Sequence, residues 1–235
     1  MSFERYRNRV LSSGNNIREN MLNNSVQFVE SSFEDSPSYR VVRVNGVDMG
    51  VRLMRDREYS VMNEFMVYKV MFKPSSNIDR GDIIKFDNSK GLEETWMAVY
   101  RTDHDLYPYV HIRRCNNVLN FDTELGEISH PVVIDNKLQR YQEIEQRPLV
   151  NLPDDSLSVA ISYNTESNGV KVRNKFIIKD MSWEVQVVDK ITNVFDGSGI
   201  VNMIIRRVPI HAEDPVENEP DDPSEGEEEG GGGLW

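Results

Sequence analysis

The chain has 235 residues, of which 27 are Lys or Arg and 39 are Asp or Glu, and its formal net charge is −12 at pH 7. This length can bury one large core or two small ones without covalent cross-links. The single cysteine, Cys115, excludes an intramolecular disulfide. No signal peptide and no apolar run of roughly 20 residues is evident, so we expect synthesis in the cytoplasm of a cell and no membrane partner.

Most of the negative charge lies at the C-terminal end. Residues 213–229 hold ten of the 39 acidic residues and no Lys or Arg, which leaves 29 acidic and 27 basic residues elsewhere. A nearly neutral body lacks the positive surface with which proteins neutralise DNA phosphates. We therefore expect no tight DNA binding.

Two helices are predicted in the N-terminal segment, residues 1–37. The first is a short basic helix at residues 2–12, followed by Gly14 as a stop signal. The second begins at Asn16 and repeats apolar or small side chains at spacings that place them on one helical face. These residues are Ile17, Met21, Leu22, Ser25, Phe28, Val29, Ser32 and Phe33. The pattern predicts a packing surface, either against the protein's own sheet or against a neighbouring subunit.

Residues 38–125 are predicted to form a compact antiparallel β-barrel. Asn45-Gly46 lies between two apolar-rich runs, which is a strong hairpin signal. "GDIIKF" and "TWMAVYRT" flank a polar loop, and "YPYVHIRRCNNVLNF" closes the region. Arg80-Gly81-Asp82 resembles a cell-surface receptor ligand. We interpret it as a turn, since Gly81 and Asp82 come just before the strand "IIKF".

The second half contains a further β-rich region. Residues 126–155 are predicted to be a linker because Pro131, Pro148 and Pro153 surround a polar middle. Residues 156–210 are predicted to form short strands joined by turns at "KDMS" and "DGSG", as in a small barrel or half-sandwich.

Residues 211–235 are acidic and rich in Pro and Gly, which predicts a disordered tail ending in four glycines and Leu-Trp. The predicted fold class is therefore mainly β with N-terminal helices, two small antiparallel β-barrel or sandwich-like units, and a disordered acidic C-terminal tail.

No motif for catalysis, cofactor binding or metal binding is apparent. The four histidines lack the spacing of a zinc site, and the cluster Asp103-His104-Asp105 lies in a predicted hairpin turn. There is no glycine-rich phosphate loop and no serine elbow. Cys115 lies within a predicted strand, as an inert buried thiol would. We expect no enzyme, no cofactor and no bound metal.

Several parts of the sequence resemble structural proteins of tailed bacteriophages that infect Gram-positive bacteria. The resemblance covers residues 3–46, 80–121 and 174–210, and its most suggestive part is the succession "GDII", "TWMAVYRTD" and "IRRCNNVLNF". These patterns are similar to head-closure, or stopper, proteins of the phage neck. The acidic tail departs from the compact pattern of that family.

The resemblance implies a virion protein that assembles as a ring of six or twelve copies. Such a ring would contact the adjacent portal or adaptor and tail proteins and let DNA pass through its lumen without sequence-specific binding. A ring in the tail terminator or baseplate is an alternative. A different class of protein, a cytosolic β-barrel module that binds peptide or carbohydrate, also stays open.

The resemblance directs attention to surfaces and not to catalytic residues. The helix at residues 16–33 is expected to contact a neighbouring subunit, and the loops at residues 87–95 and 101–109 are expected to dock on the next ring or gate the channel. At the C-terminus, a Trp on a glycine tether is suited to docking on a partner, although an inert terminus would look the same. The candidate contact residues are Ile17, Met21, Phe28, Asp87, Asn88, Lys90, Leu92, Asp103, His104, Asp105, Leu234 and Trp235.

Overall fold

The computed structural model describes residues 16–56, 67–123, 126–138 and 150–209. These residues form a mainly β fold with an N-terminal helix and two antiparallel β units. The predicted fold class is thereby confirmed. The helix predicted at residues 2–12 and the tail at residues 211–235 lie outside the described residues.

The N-terminal helix α1 (Ile17–Ser31) begins at a polar cap. The side-chain oxygen of Asn16 accepts a hydrogen bond from the Glu19 N–H at 2.9 Å, which satisfies one of the free donors of the first turn. The helix is followed by a 3₁₀ turn, Phe33–Asp35. Near this end Val29 and Phe33 are buried.

The first β unit is a closed six-stranded antiparallel barrel. Its strands are β1 (Tyr39–Val44), β2 (Val47–Arg55), β3 (Val67–Phe72), β4 (Ile83–Asp87), β5 (Glu93–Thr102) and β6 (Tyr109–Arg114). Their order around the barrel is β1-β2-β3-β6-β5-β4, and β4 pairs back to β1.

Local chemistry explains how this barrel starts. Asn45 and Gly46 connect β1 to β2 with φ angles of 47° and 87°, as a type I′ turn requires, so the predicted hairpin is confirmed. The core contains a cluster of aromatic rings, in which Phe86 stacks on the fully buried Trp96 at 5.6 Å between centroids. Tyr68 meets the edge of the same Trp96 ring at 5.0 Å.

The second β unit contains the remaining strands and a short helix. They are β7 (Asn117–Thr123), β8 (Gly126–Asp135), β9 (Lys137–Leu138), β10 (Val150–Asn151), β11 (Ser156–Ser162), α2 (Thr165–Gly169), β12 (Lys175–Ile178), β13 (Met181–Asp189), β14 (Val194–Phe195) and β15 (Ser198–Val208). The main sheet has the order β12-β13-β15-β11-β8-β7, with β14 paired to β15. Strands β9 and β10 form a separate pair.

This second sheet is a nearly closed barrel. The strands at the two ends of its order approach each other, because the ring of Phe121 on β7 lies 5.3 Å from the ring of Phe176 on β12. The turn from β12 to β13 is made by Lys179 and Asp180, both with positive φ, as predicted for "KDMS". Asp196 and Gly197 make the same kind of turn between β14 and β15.

The boundary between the two units lies earlier than the sequence pattern predicts. Residues 117–123 were expected in the first barrel, but β7 pairs with β8 in the second sheet. Residues 126–135 were expected in a linker, but they form β8, and Pro131 lies just outside the stretch that pairs with β11. No Gly or Pro interrupts the chain between Tyr109 and Phe121, and Asn116 and Asn117 alone do not show where the chain changes sheets.

The two units share a buried contact. Met97 and Val99 of β5 pack in one apolar cluster with Val133, Ala160 and Ile200 of the second unit. Strand β5 has a register shift between Ala98 and Tyr100, and the outward side chains Met97 and Val99 are fully buried by this contact. The barrel wall of the first unit is therefore also part of a second core.

Candidate functional site

The outer face of α1 carries large apolar side chains that remain exposed. Ile17, Met21 and Phe28 are 65%, 67% and 72% exposed. At about 100° of rotation per residue, their spacings of four and seven residues place these three side chains in one narrow stripe. The sequence left open whether this face packs on the protein's own sheet or on a neighbouring subunit. Val29 and Phe33 are buried within the chain itself. Ile17, Met21 and Phe28 do not pack on the protein's own body.

The opposite side of α1 is held to the first barrel near its C-terminal end. The Arg52 guanidinium lies 4.6 Å from the centre of the Phe33 ring and donates hydrogen bonds to the carbonyl oxygens of Ser32 and Phe33. Glu30 accepts a hydrogen bond from the Ser75 N–H at 3.1 Å. The helix is thereby fixed in place while its exposed stripe faces away from these contacts.

The loop between β4 and β5 is organised by one side chain. The Oδ1 atom of Asn88 accepts hydrogen bonds from the N–H groups of Lys90 and Leu92, at 2.8 and 3.1 Å. Asp87 and Lys90 are exposed, and the Leu92 side chain is 61% exposed. The loop therefore presents Leu92 on a well-defined turn.

The loop between β5 and β6 is likewise held by local hydrogen bonds. Nδ1 of His104 accepts from the N–H groups of Leu106 and Tyr107, both at 3.2 Å. Asp103 accepts from Arg101 Nε at 2.7 Å, and Asp105 is exposed. His104 therefore has a role in shaping the turn.

The two loops are not parts of one site. They lie at opposite ends of the ten-residue strand β5, which at about 3.3 Å per residue separates them by roughly 30 Å. The candidate residues of the two loops thus belong to two surfaces. Leu234 and Trp235 lie outside the described residues.

The triplet Arg80-Gly81-Asp82 forms a turn, as predicted. Arg80 donates to the side-chain oxygen of Asn193 in the second unit at 2.8 Å. Asp82 accepts from the Asp79 N–H at 2.7 Å and from the Asn45 side chain at 2.8 Å. Burial raises the pKa of Asp82, while these hydrogen bonds oppose the rise. All three residues thus serve the fold.

The most buried charges of the described chain lie where the two units meet. Arg113 of β6 donates to both carboxylate oxygens of Asp135 in β8, at 2.7 and 3.1 Å, and both side chains are almost fully buried. Next to this pair, burial raises the pKa of the Cys115 thiol to about 12, and the Arg113 charge opposes the rise. A thiol with this pKa stays protonated at neutral pH, in agreement with the predicted inert cysteine.

A second contact that sequence reasoning missed joins His111 to Asp56. The Nε2 atom of His111 lies 3.0 Å from the Oδ2 atom of Asp56. The His111 ring also stacks on the Tyr100 ring and makes a T-shaped contact with the Tyr109 ring. Burial lowers the pKa of His111, while Asp56 acts in the opposite direction. The two residues are 55 positions apart, so no sequence signal could have paired them.

Two further exposed apolar side chains lie on the hairpin segment, defined as residues 190–199. Ile191 is 86% exposed and Phe195 is 64% exposed. The segment is nevertheless anchored, because Asn193 is buried, accepts from Arg80, and through its carbonyl oxygen accepts from the Ile200 N–H at 2.9 Å. Sequence reasoning found the turn "DGSG" here but not this surface.

Other features of the described residues are less informative about function. No group of three or more His, Cys, Asp or Glu side chains in this part of the chain could hold a metal ion. Neither described helix has the length and apolar character needed to cross a membrane. A groove of about 510 Å³ lies on the second unit, and its lining includes Asp155, Asp180, Ser182 and Arg207.

Comparison with known proteins concerns the second unit. A family model described as the YomX C-terminal domain matches residues 117–205. The match begins at the first residue of β7 and ends within β15, so it follows the second unit as the strands define it. It covers less than half of the chain, and it shows a similarity of this unit to that family. No curated protein and no solved structure matches the chain.

Proposed function

We propose that the chain is a structural protein of a tailed-bacteriophage particle and assembles as a ring in the neck, between the capsid portal and the tail. The observation that carries the proposal is a body of two β units, joined by a buried contact, whose most exposed apolar side chains include two groups on its outside. Contiguous exposed apolar patches mark interaction surfaces, and three of these side chains, Ile17, Met21 and Phe28, lie on one face of α1. The resemblance of the sequence to head-closure proteins supports the same conclusion.

The junction between the units suits a protein that transmits force between two assemblies. A buried apolar cluster and the paired charges Arg113 and Asp135 hold the two units in one relative orientation. A ring that joins two large assemblies requires subunits that do not bend at such a junction. The two loops at residues 88–92 and 103–108, each held by local hydrogen bonds, would provide contacts at both ends of the first barrel.

The charge balance suits a channel for DNA. Without residues 213–229, the chain has 29 acidic and 27 basic residues. Duplex DNA carries about one negative charge per 1.7 Å of its axis, and a strongly basic lumen would hold it in place. A nearly neutral wall would let DNA slide during packaging and ejection.

The proposal can be tested on phage particles produced by a host cell that carries the gene for this chain. We expect mass spectrometry of purified particles to detect the chain and cryo-electron microscopy to locate it as a ring between portal and tail. A position in the tail terminator or baseplate would keep the particle role and reject the neck. Purified particles that lack the chain would overturn the proposal.

The C-terminal residues have a separate test within this proposal. We expect Leu234 and Trp235 to dock on an adjacent particle protein, with the acidic run before them favouring encounter with a basic partner. A chain lacking residues 230–235 should then assemble into its own ring but incorporate less well into particles. Unchanged incorporation would reject docking and leave the ring intact.

A ligand-binding module is the second candidate, and one observation favours it. The Ser182 hydroxyl, at the groove of the second unit, is buried without a hydrogen-bond partner among the described residues. A ligand that enters the groove and displaces the atoms covering this hydroxyl would give it a hydrogen-bond partner, whose absence costs about 1–3 kcal/mol. Thermal-shift screening with peptides and oligosaccharides tests this role. Stabilisation that is lost in Ser182→Ala would support it.

A further inference from the structure

We propose that copies of this chain associate head to tail, with the hairpin segment of one copy packed on the exposed stripe of helix α1 of the next copy. The partner is therefore a second copy of this chain, and the contact joins two different surfaces. This inference names the subunit contact of the ring proposed above and rests on that function for its biological setting. Its physical argument comes from the two surfaces alone.

The helix surface has the form of a docking site. Ile17, Met21 and Phe28 line one stripe about 17 Å long, at 1.5 Å of rise per residue. The other side of the helix is fixed through Arg52 and the buried Phe33, so the stripe is held in position before any partner binds. A surface that is already ordered loses little conformational entropy on binding.

The hairpin surface is equally well prepared. The carboxylate of Asp189 accepts hydrogen bonds from the N–H groups of Ile191 and Thr192, at 3.0 and 2.9 Å. The Lys190 ammonium donates to the carbonyl oxygen of Asn168 in α2. Ile191 and Phe195 therefore extend from a segment that is fixed at its base, and their side chains are among the most exposed large apolar groups described.

One exposed charge beside each surface is complementary to the other, while the Lys190 ammonium beside Ile191 is engaged by the Asn168 carbonyl oxygen. Arg18 is exposed next to Ile17, and Asp196 is exposed next to Phe195. An arginine at one surface and an aspartate at the other favour contact between unlike surfaces over contact of either surface with its own copy. This difference in charge favours a second copy in a head-to-tail arrangement.

The other strongly exposed apolar side chains do not form comparable surfaces. Val41 and Val47 lie on β1 and β2 beside the charged pair of Arg43 and Asp48, at 3.6 Å. Leu92 is adjacent to Glu93, which is 3.7 Å from Arg43. Charged groups thus interrupt the apolar surface in that region.

A contact between two unlike surfaces has a geometric consequence. A bound pair of copies still has one free helix surface, on one copy, and one free hairpin surface, on the other, so association continues until the copies close into a ring or grow as a filament. A helix-to-helix contact would instead stop at a dimer. The arrangement proposed here is therefore the one that a ring requires.

The test uses two variants of the full-length chain and their mixture. The helix variant carries Met21→Asp and Phe28→Asp, and the hairpin variant carries Ile191→Asp and Phe195→Asp. Val172→Asp is the matched control, because Val172 is 56% exposed on the second unit but lies outside the hairpin segment. Mass photometry and sedimentation velocity measure association over a concentration series, and circular dichroism verifies folding.

We expect wild type and the control to associate equally, and each variant alone to associate at least tenfold more weakly. An equimolar mixture of the two variants should form heterodimers and nothing larger, because the mixture contains one intact hairpin surface and one intact helix surface. The charge variants Arg18→Asp and Asp196→Arg should each weaken association about two- to fivefold, as expected for an exposed pair. Combining them should restore most of the loss.

Specific outcomes overturn the inference. The proposed contact is rejected if the mixture forms no heterodimers, or if the variants associate like wild type. A ring held together by other surfaces would then still be possible. A wild type that stays monomeric at every concentration would also reject it. A helix variant that only loses thermal stability would show that the stripe is covered within its own chain. Wild-type filaments that never close would keep the contact and reject the ring, so the two proposals fail separately.

Discussion

The junction between the two β units and the outer face of α1 are both built from apolar side chains, but one is buried and the other is exposed. At the junction, Met97 and Val99 lie in a closed cluster next to the paired Arg113 and Asp135. On α1, Phe28 is mainly exposed although it lies only five residues from the buried Phe33. The comparison shows that an apolar pattern identifies a packing surface without identifying what packs on it.

The largest expected effect comes from breaking the buried charge pair. Arg113→Met should lower the free energy of unfolding by about 3–5 kcal/mol, because it leaves the Asp135 carboxylate buried without its cation. Chemical denaturation measures this loss, and Arg113→Met combined with Asp135→Leu should recover much of it. Arg206→Met, which breaks an exposed contact with Asp155, is the control and should have a much smaller effect. Equal losses in the two variants would contradict the comparison.

A matched pair of phenylalanines compares the exposed face of α1, which carries Phe28, with the buried 3₁₀ turn that follows it, which carries Phe33. Phe33→Ala should lower the free energy of unfolding by about 3–5 kcal/mol, since it creates a cavity against Arg52 and Tyr39. Phe28→Ala removes the same atoms from an exposed position and should change it by less than about 0.5 kcal/mol. Thermal and chemical denaturation at concentrations below self-association measure both. A large loss in Phe28→Ala would show that its ring is covered.

Alanine substitutions at two glycines distinguish the cost of a strained backbone from the cost of a steric clash between the two units. Gly91 has φ of +74° with open space around it, so Gly91→Ala should cost about 1–2 kcal/mol for the left-handed conformation alone. Gly81 has φ of +92°, and a side chain there would collide with the backbone of Gly199 in the second unit. Gly81→Ala should therefore destabilise clearly more than Gly91→Ala in the same denaturation assay. Equal effects would argue against a close contact at this point.

The smallest expected effect concerns pH. Burial lowers the pKa of His111, so the folded chain binds fewer protons there than the unfolded chain, and its contribution to stability is lost as pH falls below about 6.5. Asp56 and Lys69 are the charged groups that act on His111, in opposite directions. The slope from one group cannot exceed about 1.4 kcal/mol per pH unit. His111→Gln should flatten the stability profile between pH 5 and 7, whereas a constant offset from wild type would reject this assignment.

Local features of the fold were predictable because their chemistry is local. Asn45-Gly46 and Asp196-Gly197 require positive φ at both turn residues, and few residue types tolerate this. The start of α1 at Asn16 follows from a side chain that caps the first turn. Strand alternation likewise identified the β class of both regions.

The boundary between the units was not predictable from local chemistry. Strands β6 and β7 are separated by only Cys115 and Asn116, and neither Gly nor Pro marks the point where one strand ends and the next begins. Asn116 makes the change of sheet possible by hydrogen bonding through its side chain to the backbone of Ile134, twice at 2.8 Å. The candidate surfaces were found in part: the helix stripe was predicted as a packing surface, while the hairpin segment was missed because Ile191 and Phe195 look like ordinary strand residues.

The sequence by itself determined that this protein is mainly β, where its tight turns form and which residues of α1 share a face, since each depends on neighbours within a few positions. Only the tertiary structure decided which strands belong to which unit, that Arg113 meets Asp135, and that Phe28 is exposed while Phe33 is buried. These outcomes depend on contacts between distant parts of the chain. Burial is a property of such contacts, and no local pattern of residues specifies it.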